Sequence, residues 1–111
     1  MDDVVDVSRI RALNDALRRS LTGGVLMMTR GVIALGSARQ LRILEAVAAF
    51  DAFDSDNDPY GEHDFGALEV EGARILFKID YLDQALAGHS PDPADPSVTT
   101  RVLTIMLQSE Y

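Results

Sequence analysis

The chain has no cysteine and no tryptophan, a single lysine, and no basic residue at all between Arg42 and Arg74. Each absence closes a class of chemistry. Without cysteine there is no disulfide framework, no thiolate metal site and no cysteine nucleophile. No apolar run approaches the roughly 18 residues that span a bilayer, so no membrane segment is expected. The start Met1-Asp2-Asp3-Val4-Val5-Asp6 is acidic, the opposite of a signal peptide's basic start, and a cytoplasmic placement is expected. Apart from Lys78 every cation is arginine, the side chain better suited to bidentate pairing with carboxylates. Some of these arginines are therefore expected in internal ion pairs.

What is present is acid. A net charge of −8 argues against direct binding to nucleic acid, which is driven by cations displacing counterions from phosphates. Residues 1–111 with 47% apolar content fit one ordered domain.

Helical spacing of Ile10, Leu13, Leu17 and Leu21 predicts a first helix capped by Asp6 or Ser8 and ending near Ser20, with Gly23-Gly24 as its stop. Val25 to Thr29 reads as a short strand, and Val32 to Leu35 as another extended piece. Ser37 with Gln40 fits a capping box opening a second helix, whose buried stripe is Leu41, Leu44, Val47 and Ala48. Glu71-Gly72 is a two-residue turn joining strands 65–70 and 73–81, with Ile75, Phe77, Ile79 and Tyr81 facing the core. Counting outward from that turn sets Glu69 opposite Arg74, Gly66 opposite Phe77 and, if the ladder continues, His63 opposite Asp80. Asp95-Pro96 opens a third helix with Val98, Val102, Ile105 and Met106 as its stripe. The fold expected is α+β: a small antiparallel sheet, made of the hairpin 65–81 and a strand near 25–29, covered by about three helices.

The segment Asp51 to Asp64 holds six carboxylates and His63 in fourteen residues, and half of the chain's 18 acids lie between Arg42 and Arg74. Asp54, Asp56 and Asp58 match positions 1, 3 and 5 of an EF-hand loop. Pro59 stands where that loop needs glycine and Phe65 where it needs glutamate, so the EF-hand is rejected. Glu62, His63, Asp64 and Asp80 offer oxygen and nitrogen ligands for a divalent ion in a metal-dependent hydrolase or nuclease, with Lys78 near to offset phosphate charge. Against this, the zinc-protease helix motif is missing and Leu76 stands two residues before Lys78, where nuclease cores carry an acid. The bland account of His63 is a structural hydrogen bond. Gly23-Gly24 is no phosphate loop, since it follows a helix and precedes a strand.

The remaining option is recognition by charge. On an extended chain Asp54, Asp56 and Asp58 would project on one side about 6.6 Å apart, a spacing like that of successive backbone phosphates. The three aromatics Phe53, Tyr60 and Phe65 interrupt the acids and could anchor an interface, with at least two of them expected to pack inward.

The run Asp56-Asn-Asp-Pro-Tyr-Gly-Glu-His-Asp-Phe-Gly66 resembles a small bacterial family, the domain of unknown function 3768. The resemblance continues through Lys78-Ile-Asp-Tyr81, Ser90-Pro-Asp-Pro-Ala-Asp-Pro96 and Val102 to Leu107. It implies no activity, cofactor or catalytic residue. It implies a setting of accessory proteins of chromosomes, plasmids and phages, where regulators and anti-defence inhibitors are common.

The leading expectation is a non-enzymatic, acidic, protein-binding regulator or inhibitor, of the anti-CRISPR or anti-restriction type. Its contact residues are Asp51, Asp54, Asp56, Asp58, Tyr60, Glu62 and Asp64, with Glu69, Glu71 and Asp83 as extensions. The partner expected is a protein with a basic, nucleic-acid-binding surface. No cofactor is expected; a divalent metal belongs only to the hydrolase alternative. Oligomeric state is left open.

Overall fold

A computed structural model describes residues 6–111. Asp6 caps helix α1 (Val7–Ser20), its side chain accepting from the Arg9 N–H at 3.1 Å. Ile10 and Leu17, two turns apart, are buried, while Leu21 ends the helix in the left-handed conformation at φ 55°. The left-handed cap is thus Leu21 rather than the expected glycine pair.

Strand β1 (Val25–Met28) follows, then a four-residue helix α2 (Arg30–Ile33). This replaces the extended piece expected after Val32. Helix α3 (Ser37–Ala49) has Gly36 at its N-cap and no side-chain cap. The capping box at Ser37 does not form, because Gln40 Nε2 instead donates to the Ile33 carbonyl at 2.9 Å. Ile43 and Val47 make the buried stripe, and Leu41 is 61% exposed rather than inside.

Strands β2 (Phe65–Val70) and β3 (Ala73–Leu82) form the expected hairpin in the expected register. Glu71 (φ 50°) and Gly72 (φ 84°) both have positive φ, the geometry whose twist matches that of the strands it joins. Ile75, Phe77, Ile79 and Tyr81 are all buried on one face. Burying a side chain such as Phe77 contributes about 2–3 kcal/mol.

The final element differs. Thr100–Leu107 is strand β4, not a helix, followed by a short turn of 3-10 helix at Gln108–Glu110. Thr99, Thr100, Val102, Thr104 and Ile105 are β-branched, which favours extended backbone. Arg101, Leu103 and Ile105 alternate into the core, and this period of two outweighs the helical spacing of Val98, Val102 and Ile105.

The sheet order is β1-β4-β3-β2. β4 pairs antiparallel with β3 and parallel with β1, so the sheet is mixed. Ile10, Leu17, Val32, Ile43 and Val47 from the helices join Ile75, Phe77, Ile79, Leu103 and Ile105 in one core. The class is therefore α+β: among the described residues, a small sheet with three α-helices packed against it. No helix among the described residues is long and apolar enough to cross a membrane.

Candidate functional site: an acidic loop clamped to helix α1

Residues 51–64 connect α3 to β2 and carry most of the chemistry-bearing side chains. The loop orders itself first. Asp54 Oδ1 accepts from the N–H groups of Asp56 (2.9 Å) and Asn57 (3.0 Å). Asn57 returns the favour, accepting from the Asp54 N–H at 2.9 Å and donating to the Ala52 carbonyl at 2.8 Å. Such side-chain-to-backbone bonds are the usual way Asp and Asn build turns.

Asp58 makes the second turn. It is only 8% exposed, and its Oδ1 accepts from the N–H groups of Glu62 (3.0 Å) and His63 (3.1 Å). Gly61 and His63 both adopt positive φ, at 71° and 58°. For histidine that conformation costs on the order of 1 kcal/mol, and its ring contacts hold it there. His63 Nδ1 lies 2.9 Å from Asp15 Oδ1 on α1, and Nε2 lies 3.8 Å from Asp58 Oδ2. The ring stacks flat on Phe53 at 3.9 Å.

Asp15 is shared with Arg18, whose Nη2 donates to the same Oδ1 at 2.9 Å. Arg18 is fully buried, and its Nη1 donates to the carbonyls of Val47 (2.8 Å), Ala48 (3.2 Å) and Phe50 (2.7 Å). These carbonyls lie at and just beyond the C-terminal end of α3, where intrahelical donors run out; that of Val47 also accepts from the Phe50 N–H at 3.3 Å. The guanidinium also lies 5.2 Å from the Phe53 ring centre. One arginine thus caps α3 and fixes the carboxylate that holds His63.

The neighbouring Asn14 serves a second branch. Its Nδ2 donates to the Glu62 carbonyl (3.0 Å) and to Tyr81 Oη (2.8 Å), while its Oδ1 accepts from Arg101 Nε (2.8 Å). Tyr81 Oη donates to Glu62 Oε1 at 2.6 Å. Arg101 stacks over the Tyr81 ring and reaches the Pro93 carbonyl, joining the proline-rich connector to the same network.

The charges follow this geometry. Burial by itself raises Asp15, but its bonds to His63 and Arg18 outweigh that and hold it below the ordinary carboxylate range. Asp64 is pushed up, first by burial and then by the nearby carboxylates of Glu62, Asp58 and Asp80. Tyr81 is raised by burial and by its bond to Glu62.

The expected contact residues fall into two groups. Asp51, Asp54, Asp56 and Tyr60 are exposed, Tyr60 by 77%. Asp58 is buried, and Glu62 and Asp64 are partly buried. The straight row of anions at Asp54, Asp56 and Asp58 does not form. The chain turns between Asp54 and Asp58, with the Asp58 N–H bonded to the Asp54 carbonyl at 2.8 Å, and the third carboxylate is spent inside. Of the extensions, Glu71 pairs with Arg42 and Arg39, and Asp83 accepts from the Ala87 N–H, while Glu69 faces Arg74 as expected.

Three of the four residues of the metal reading are occupied separately. Glu62 is bound by Tyr81, His63 by Asp15, and Asp80 lies 3.1 Å from Lys78. His63 does not face Asp80, because the paired ladder ends at Phe65 and Lys78 and the chain turns toward α1. Among the described residues, no group of three or more histidines or carboxylates is placed to hold a metal ion.

Asn14, Asp15, Arg18 and Arg101 were not among the expected site residues. Only the preference for arginine hinted at them, and the internal pair it suggested is Arg18 with Asp15.

No curated protein and no solved structure matches the chain significantly. A family model described as "Protein of unknown function (DUF3768)" matches residues 28–110, which include the whole acidic loop and the hairpin, and the chain belongs to that family.

Proposed function

We propose that this protein is a non-enzymatic, acidic binding module whose contact surface is the exposed part of the loop: Asp51, Asp54, Asp56 and Tyr60. The observation that carries this is the placement of Tyr60. A large aromatic side chain stands 77% exposed among carboxylates, on a loop whose backbone is fixed by Asp54, Asn57 and Asp58. A loop already held in one shape loses little entropy on binding, and tyrosine is a frequent interface anchor. The absence of cations from residues 43–73 gives the surface one sign and favours a basic partner.

The partner is a bacterial, cytoplasmic protein with a nucleic-acid-binding surface, and the module acts as its inhibitor in the manner of an anti-defence factor. The buried Asp58 supports a patch of charge anchored by an aromatic side chain, in place of a phosphate-spaced row.

The test is capture from nuclease-treated host lysate by the wild-type chain and by the variant Asp51→Lys/Asp56→Lys/Tyr60→Ala. Asp54 is left intact because its carboxylate holds two backbone amides. The expected result is one stoichiometric nucleic-acid-handling protein, released by salt and absent from the variant capture. Equal capture by both chains refutes the proposed surface.

A further inference from the structure

We draw no further inference here: the strongest candidate, the crevice beside the C-terminal end of β3 lined by Asp64, Asp80, Tyr81 and His89, is an acidic cluster that shares Asp64 with the loop already described, and nothing among the described residues points to a ligand for it.

Discussion

Asp58 is the acid on which the loop depends, although it looks like its neighbours in sequence. Its carboxylate satisfies two backbone amides in a nearly buried position. Removing it in Asp58→Ala should cost about 3 kcal/mol, since an orphaned buried donor costs roughly 1–3 kcal/mol and charge-assisted bonds sit at the high end. Asp56→Ala, at an exposed side chain, should change stability by less than about 0.5 kcal/mol. Urea denaturation of the two variants side by side checks the contrast, and equal losses would contradict it. That difference was not legible beforehand, because burial of Asp58 depends on His63 reaching Asp15, 48 residues away in the chain.

Asp64 and Asp15 respond to pH in opposite senses. Asp64 has its folded pKa above the ordinary 3.8, so its charge opposes folding at neutral pH and ceases to do so as it is protonated. Asp64→Asn should therefore stabilise the protein at pH 7, with the gain vanishing below about pH 3.8. Asp15 is held low, so its contribution is present above 3.8 and is lost as pH falls through its folded value. Acid unfolding of Asp15→Asn should accordingly be less steep than that of the wild type below pH 4. Denaturant midpoints measured across pH 3 to 7 decide both.

At the scale of elements, the hairpin shows how far local rules reach. A two-residue turn with glycine second set the register of every pair from Phe65 to Lys78 before any packing was considered. Gly66 then lies beneath Phe77, and a methyl group there would overlap the rings of Phe77 and Phe50. Gly66→Ala should cost about 1–3 kcal/mol through overpacking. Combining it with Phe77→Leu should recover part of that loss in a double-mutant cycle, whereas strict additivity would mean that the ring is not the obstacle.

β4 shows where the local rules fail. Its apolar residues satisfy helical and strand spacings at once, and the strand wins because both flanks are supplied by distant partners, β3 and β1. The parallel contact with β1 joins Val25 to Val102, and a pairing so remote in sequence leaves no local signature. The same remoteness hid the clamp on α1, whose Asn14 and Asp15 read as ordinary polar helix residues.

Taken together, the described residues form a sheet with helices on one side and an acidic loop held by its own hydrogen bonds. Two buried arginines, Arg18 and Arg101, tie that loop and the proline-rich connector to α1. The expected class and hairpin hold at this scale. The loop's internal division, with Asp58 inward and Asp56 and Tyr60 outward, emerges only from the assembled fold. If the loop recognises a basic partner, association should slow as salt rises, because exposed charges are screened within about 10 Å at 0.1 M.

Site-specific photo-crosslinking from position 60 in host cells tests the binding surface most directly, with the exposed Leu86 on another loop as the control position. The account predicts one dominant adduct from position 60, to a protein with a basic nucleic-acid-binding surface, lost in the Asp51→Lys/Asp56→Lys background and missing from position 86. The same adducts from both positions, or none from position 60 while the protein is folded, would contradict it.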